Sequence, residues 1–410
     1  MTETRKEKNT IDIFNFIRAF ALLCVLVTHS RIVISSNLSV FKTPDSFSWL
    51  AYTPAWTAMG IFFMLSGYLL GKGFYNKKYT TDISGCITFW TTRLIRILPM
   101  YLFFIIITAL FINPGLFALN KSSLLIPVLT FTYNGSPGGG GFGALWFVST
   151  IMQLYFCAPI VYKIFLSKIK DNHVLYLCII ILLGFLYRII AYHFHLDWQK
   201  QIYTPSWANL DFFVAGMLLN AICIKSKDNL IKKWLRPLSI ISLIALNIYL
   251  MLLYYHHQLT FYRYYAPSII IVLLCIIIYS FDSIDKIYSK PLSLKNLITN
   301  PLRIIDIIGI LSFGAYLYHS YIFSIIPRLI SEKLIFANGY TKSQVLICTY
   351  IFTAIALFIW CSIIYTYIEK PANTYRKKIN INIPKMQYIV NFLRRGGAHC
   401  RVFSLVMTEY

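Results

Sequence analysis

The chain of 410 residues is strongly apolar and strongly basic: 58% of its residues are hydrophobic, 13% are charged, and its formal net charge is +23. Soluble proteins carry about 25% charged residues, so this composition excludes an ordinary soluble globular protein. The mean hydropathy of +0.63 instead predicts a polytopic membrane protein of the all-α class, a bundle of transmembrane helices. The first apolar run carries Arg18 and lacks a small-residue cleavage site, so we expect it to stay as an anchor.

Apolar runs predict ten membrane segments, at about 12–34, 49–71, 97–113, 145–166, 174–196, 205–224, 237–256, 266–282, 304–330 and 344–368. With a cytoplasmic N-terminus, 28 of the 38 Lys and Arg residues fall in cytoplasmic segments. This is the positive-inside bias, so the basicity reports topology and contact with anionic lipid rather than nucleic-acid binding, and both termini are expected in the cytoplasm. We expect residues 1–378 to form one membrane domain and 379–410 a cytoplasmic tail, for which an interfacial helix and disorder are both open.

The first segment carries an arginine and a histidine, Arg18 and His29. Burying either side chain in a membrane costs free energy, so each is a candidate functional residue. Eleven residues turn a helix about three times and rise about 16 Å, so the two side chains share one face. This spacing favours a functional pair. In the alternative, Arg18 extends to the headgroups and His29 is a polar residue near the outer interface.

The second segment has small residues at Gly60, Ser66 and Gly67. Small residues let membrane helices approach closely, so packing is the expected role of the two glycines. Ser66 is a weaker candidate for a nucleophile, because no base stands at local spacing.

Arg93 and Arg96 come directly before the third segment, three residues apart on a predicted helix. At this spacing two guanidinium groups project side by side, an arrangement suited to phosphate oxygens. Ordinary positive-inside anchoring is the alternative.

Three further ionisable residues lie in or at the end of later segments: Asp211, His319 and Glu369. His319 is predicted to share a cavity with His29, and Glu369 to pair with a cytoplasmic arginine. A buried charge needs a partner in either case, so structural pairing and function are both open for these residues. The nine cysteines form no C-x-x-C pair, so neither a disulfide nor a zinc site is expected.

Six elements follow one another along the chain: Arg18-x10-His29, the run Gly60 to Tyr68, Arg93-x-x-Arg96, Leu145-Trp146-Phe147, Tyr316-Leu317-x-His319 and Ile368-Glu369-Lys370-Pro371. Together they resemble the acyltransferase-3 family of integral membrane O-acyltransferases, over about residues 12–378. The resemblance implies transfer of an acyl group, most often acetyl from cytoplasmic acetyl-CoA, to a hydroxyl of a lipid-linked or surface saccharide. It also implies the bacterial cytoplasmic (inner) membrane as the location.

Carried over by position, His29 matches the family's essential histidine, and Arg18, Arg93 and Arg96 match its conserved arginines. The chain departs from the family in two places. Asn15 stands where many members have an aspartate, and the motif Trp-x-Leu-x-x-Glu lacks its glutamate in the run Trp146 to Gln153. The resemblance therefore supports no mechanism that needs a carboxylate in that motif.

We expect Arg93 and Arg96, with Arg18, to bind the phosphates of acyl-CoA, and His29 to act as general base, with His319 as a second catalytic candidate. An acyl-imidazole relay through His29 is the alternative. No metal is expected. Two other functions stay open: a lipid-linked oligosaccharide flippase or exporter without acyl transfer, and an O-acyltransferase acting on a secondary metabolite or peptidoglycan.

Overall fold

The computed structural model describes residues 10–37, 53–114, 122–135, 142–169, 171–226, 229–282, 286–288, 301–334 and 342–378. The predicted tail over 379–410 lies outside the described residues.

The described residues form thirteen α-helices. In chain order they are α1 (Ile13–Asn37), α2 (Ala55–Tyr75), α3 (Ile83–Ile107), α4 (Ser122–Leu129), α5 (Leu145–Ile164), α6 (His173–His193), α7 (Leu210–Lys225), α8 (Asn229–Tyr255), α9 (Ala266–Phe281), α10 (Pro301–Ile310), α11 (Ser312–Leu334), α12 (Lys342–Ile364) and α13 (Lys370–Lys378). Turns of π-helix extend α3 over Thr108–Ile112, precede α9 over Phe261–Tyr265, and join α12 to α13 over Tyr365–Glu369.

The helices confirm the all-α membrane fold. Within the described residues, eight helices are long and apolar enough to cross a membrane, and α1 adds the apolar stretch Ile13–His29. Each of the ten predicted segments overlaps one of these elements or the pair α10 and α11. A ribbon of two three-residue strands, β1 (Thr10–Asp12) and β2 (Lys286–Tyr288), pairs antiparallel beside α1.

The predicted segment 304–330 is not one straight helix. It is divided at Leu311 into α10 and α11, whose axes are bent by 79°. Gly309, at the end of α10, lies against the backbone of α1, where an added Cβ would stand 2.1 Å from the carbonyl oxygen of Asn15. α10 therefore packs closely against α1, a contact with a distant helix that the apolar pattern of one segment does not encode.

Close backbone contact between α2 and α7 forms the centre of the bundle. A Cβ added at Gly67 would stand 1.9 Å from the carbonyl oxygen of Phe213, and one at Gly216 would stand 2.2 Å from that of Met64. At Gly60 an added Cβ would meet the Phe212 ring at 2.4 Å. The predicted packing role of Gly60 and Gly67 is confirmed, because only glycine fits at these contacts.

We expect Gly67→Ala to lower the melting temperature of the purified protein, since the new methyl group must push α2 and α7 apart. Overpacking of this kind costs about 1 to 3 kcal/mol. Gly143→Ala is the matched control, because nothing lies within 4 Å of a Cβ added there. Equal melting temperatures for the two variants would contradict the close packing.

Candidate functional site

A cavity of about 240 Å³ opens among the helices that carry the predicted arginines. We call it the arginine cavity. Its lining comes from α1, α2, α3, α5, the α10 and α11 bend, and the segment joining α12 to α13, and its polar members include Asn15, Arg18, Ser66, Arg93, Arg96, Tyr155, Ser312, Tyr316, Glu369 and Asn373. The charged residues of the described lining are three arginines and one carboxylate, so the cavity holds an excess of positive charge. A buried excess of this kind suits an anionic ligand.

Aromatic rings surround the Arg93 guanidinium. Its central carbon lies 5.3 Å from the Phe89 ring centroid, 5.7 Å from that of Tyr79 and 5.8 Å from that of Tyr155. Its Nη2 donates to the Tyr79 hydroxyl at 3.2 Å, whereas its buried Nε has no hydrogen-bond acceptor among the described residues. Arg93 is therefore held in place by rings and still has a donor to offer.

Tyr79 lies in the turn between α2 and α3, outside the membrane-spanning helices. Burial alone would raise the pKa of its hydroxyl, but the Arg93 guanidinium and the hydrogen bond with Thr92 bring that pKa below its ordinary value. The interaction is mutual, so the Tyr79 hydroxyl also stabilises the positive charge of the Arg93 guanidinium beside it.

Two successive side-chain hydrogen bonds connect Arg18 to α10. Its Nη1 donates to Asn15 Oδ1 at 2.8 Å, and Asn15 Nδ2 donates to Asp306 Oδ1 at 2.9 Å. The other carboxylate oxygen of Asp306, Oδ2, lies 3.6 Å from Arg303 Nη1. Asn15 on α1 thus connects Arg18 to a carboxylate on another helix.

Glu369 shares the arginine cavity with Arg18 and Arg96, whose charges attract it. Its side chain is hydrogen-bonded with Asn373, four residues later on the same face. One carboxylate oxygen, Oε2, is buried and has no hydrogen-bond donor among the described residues. The sequence analysis predicts an ion pair between Glu369 and a cytoplasmic arginine; the structure places Glu369 in one cavity with Arg18 and Arg96, and its second oxygen is available to a ligand.

The two predicted histidines, His29 on α1 and His319 on α11, lie in direct contact. Their ring centroids are 4.5 Å apart. The described lining of the arginine cavity includes neither ring, but it includes Tyr316, whose ring centroid lies 5.6 Å from that of His319. Tyr316 therefore connects the arginine cavity to the pair His29 and His319, which we call the histidine pair.

The environment of His319 fixes which ring nitrogen carries the proton. Nδ1 lies 2.5 Å from the Tyr316 carbonyl oxygen, and a carbonyl only accepts, so Nδ1 is the donor. Nε2 is buried and has no hydrogen-bond partner among the described residues. In the neutral ring Nε2 keeps its lone pair and is able to accept a proton.

Asp211 is separate from this site. It forms an ion pair with Arg188 of α6 at 2.7 Å, and both side chains are almost fully buried. Arg188 also donates to Ser268 and to the Ala208 carbonyl, at 3.3 Å each. Of the two roles open for Asp211, the structure supports pairing between α6 and α7.

We expect Asp211→Ala to destabilise the protein by about 3 to 5 kcal/mol, because it leaves Arg188 buried without its counter-charge. Asp171→Ala is the matched control, since Asp171 forms an exposed ion pair with Lys225 at 3.1 Å and exposed pairs contribute little. Thermal unfolding of both variants measures the difference. A melting temperature for Asp211→Ala as high as that of Asp171→Ala would refute the structural role.

The sequence analysis did not identify several residues of the site, because little in their local sequence marks them as functional. Asn373 could have been found from its spacing to Glu369, since residues four apart share a helix face. Asp306 and Tyr155 reach the site only through tertiary contact with α1 and α3. Among the described residues, no group of three or more His, Cys, Asp or Glu side chains could hold a metal ion.

Comparison with known proteins identifies the family of this chain. The sequence profile of the acyltransferase-3 family, described as an acyltransferase domain, matches residues 11–366. The chain belongs to the acyltransferase-3 family. This confirms the resemblance stated from the sequence.

The chain is similar to two relatives over different lengths. The O-acetyltransferase OatA of Staphylococcus aureus (strain NCTC 8325 / PS 47) is 22% identical over 386 residues, which are 90% of this chain and 58% of the relative. The regulator of hypoxia-inducible factor 1 of Caenorhabditis elegans is 29% identical over 181 residues, 39% of this chain and 35% of the relative. The chain thus spans less than two thirds of either relative. No solved structure matches it.

Proposed function

We propose that this acyltransferase moves an acetyl group from acetyl-CoA to a hydroxyl of a lipid-linked or surface saccharide. The observation that carries the proposal is the arginine cavity, because it joins an anion-binding end to the histidine pair through Tyr316. The similarity to an O-acetyltransferase supports acetyl as the acyl group. A saccharide acceptor is what the family resemblance implies.

Arg18, Arg93 and Arg96 would bind the phosphates of the donor. Phosphate oxygens match forked guanidinium donors, and Arg93 Nε has no acceptor in the part of the chain that the structure describes. The rise of about 16 Å between Arg18 and His29 along α1 is comparable to the length of a pantetheine arm. The nucleotide could therefore stay at the arginine end, which we assign to the cytoplasm, while the thioester reaches the histidine pair.

The histidine pair would activate the acceptor. A neutral imidazole removes the proton of the acceptor hydroxyl. The hydroxyl oxygen then attacks the carbonyl carbon of the thioester. The carbon–sulfur bond then breaks, and the CoA thiolate takes up a proton. The relay through an acetylated His29 differs only in forming and then breaking an acyl–imidazole bond. We place this chemistry in the bacterial cytoplasmic membrane.

The test is transfer of label from radioactive acetyl-CoA to a membrane glycolipid fraction by the purified protein. We expect label in the lipid fraction that mild base releases as acetate, as an ester requires. A flippase or exporter would bind no acetyl-CoA and leave the glycolipid unlabelled. Label in a peptidoglycan or secondary-metabolite fraction instead would support acyl transfer and overturn the choice of acceptor.

A further inference from the structure

A fourth arginine, Arg376, lies on the face of α13 that borders the arginine cavity. Glu369 and Asn373 line this cavity, and Arg376 follows Asn373 three residues later. Residues spaced by three or four share one face of a helix, so Arg376 continues the row of Glu369 and Asn373. It stands about 10 Å beyond Glu369 along the helix axis. The row therefore leads out of the arginine cavity.

The electrostatic neighbours of Arg376 place it at the mouth of this cavity. The charges of Arg96 and Arg93 repel that of Arg376, and the Tyr79 hydroxyl also interacts with it. Tyr79 lies in the turn between α2 and α3, and α13 packs against α3. Arg376 is half-buried and is not part of the described cavity lining. It therefore stands just outside the cavity, beside this turn.

The positive charge at the mouth is only partly compensated. Within the part of the chain that the structure describes, Arg376 forms no ion pair of its own. Glu369 attracts it, but the same carboxylate also attracts Arg96 and Arg18. Holding several guanidinium groups together away from water costs free energy unless an anion compensates them.

A second observation also points to an anion. The buried Nε of Arg93 has no acceptor among the described residues, although its Nη2 donates to Tyr79. A buried donor without an acceptor is unfavourable, and an oxygen of a bound anion would satisfy it. The free donor of Arg93 and the charge of Arg376 thus favour a ligand with more than one anionic group.

The size of the arginine cavity decides which part of the donor lies at its mouth. Its volume is about 240 Å³, below the roughly 300 to 1,000 Å³ of pockets that enclose a drug-sized ligand. Coenzyme A is larger than most such ligands, so the cavity cannot enclose all of it. With the thioester directed to the histidine pair, the narrow pantetheine arm occupies the interior. The nucleotide, which carries the 3′-phosphate, then lies at the mouth beside Arg376.

We propose that Arg376 binds the 3′-phosphate of the acyl-CoA donor. A phosphate monoester carries about two negative charges at neutral pH, and its oxygens match the forked donors of a guanidinium. Arg18, Arg93 and Arg96 then bind the diphosphate. The donor is accordingly free acyl-CoA rather than an acyl group on the phosphopantetheine of a carrier protein, which lacks this phosphate. The proposal rests on the proposed function for acyl-CoA as the donor.

The test measures the preference for CoA over 3′-dephospho-CoA in the full-length purified protein. Calorimetric titration gives both Kd values for the wild type, Arg376→Gln and Lys370→Gln. Lys370 is the matched control, because it is an exposed cation at the start of α13 and lies outside the described cavity lining.

We expect the wild type and Lys370→Gln to bind CoA about tenfold or more tightly than dephospho-CoA, since only CoA offers Arg376 a charged partner. Arg376→Gln should bind the two ligands with Kd values equal within about twofold. Its Kd for dephospho-CoA should match that of the wild type, which a folding defect would not allow.

A wild type without preference, or the same preference in Arg376→Gln and the wild type, would overturn the proposal. The second result is also the one expected if Arg376 binds the phosphate of a lipid headgroup instead. Failure of the proposed function looks different. A wild type that binds neither ligand would overturn both proposals, whereas CoA binding and acetyl transfer with an unchanged preference would overturn only the role of Arg376. A preference that Arg376→Gln loses, in a protein that transfers no acetyl, would refute the proposed function alone.

Discussion

Replacing His29 with alanine is expected to reduce acetyl transfer by about 10² to 10⁴-fold, the usual contribution of a general base. The reason is the position of His29 against His319, with ring centroids 4.5 Å apart, on the same helix as Arg18. CoA binding should be unaffected, because the described lining of the arginine cavity does not include His29. Initial rates of label transfer and calorimetric titration with CoA measure the two quantities.

His193→Ala is the matched control for this experiment, since His193 is an exposed histidine at the end of α6. It should transfer acetyl at the wild-type rate. Near-normal transfer by His29→Ala would remove the histidine from the mechanism, and a parallel loss of CoA binding would show a folding defect rather than a chemical one.

The same preparation distinguishes the two chemical routes. A single turnover without acceptor should release no CoA if a histidine acts as general base, because the hydroxyl that attacks the thioester is missing. A relay would release one CoA for each protein molecule and leave acetyl on His29, which mass spectrometry of the quenched protein detects.

Substitution of Arg93 or Arg96 by glutamine is expected to weaken CoA binding, since each change removes a charged donor from the arginine cavity. A hydrogen bond to a charged group contributes about 1.5 to 3 kcal/mol, so the Kd should rise by roughly 10-fold to 100-fold. At position 93 glutamine keeps part of the side-chain volume among the rings of Phe89, Tyr79 and Tyr155. Titration of each variant with CoA is the measurement.

Arg236→Gln is the control, because Arg236 binds the Ser280 carbonyl at 2.9 Å and lies outside the described cavity lining. Its Kd should equal that of the wild type. If all three variants bind CoA alike, Arg93 and Arg96 serve membrane topology and the donor is bound elsewhere.

The parts of the site that were predictable from sequence depend on local spacing. A helix of 25 residues carries both Arg18 and His29, so their shared face follows from helical geometry alone. Arg93 and Arg96 reach one cavity for the same reason. Intramembrane charge marked His319 and Glu369 as well, because polar side chains are expensive in a membrane.

The parts that were not predictable depend on contacts between distant segments. Gly309, two residues before the bend at Leu311, contacts α1, and the support of Arg18 by Asp306 through Asn15 crosses from α10 to α1. Two of the three rings around Arg93 come from α5 and from the turn before α3. Asp211 was equally open to pairing and function in the sequence, and only the structure revealed Arg188 as its partner.

Mass spectrometry of surface saccharides from cells that produce the wild-type protein, His29→Ala or no protein tests the central claim most directly. The account predicts that saccharide repeats gain the mass of one acetyl group only with the wild type, and that mild base removes it. Identical masses in all three samples, with the proteins present at equal levels in the membrane, would contradict acetyl transfer to a surface saccharide.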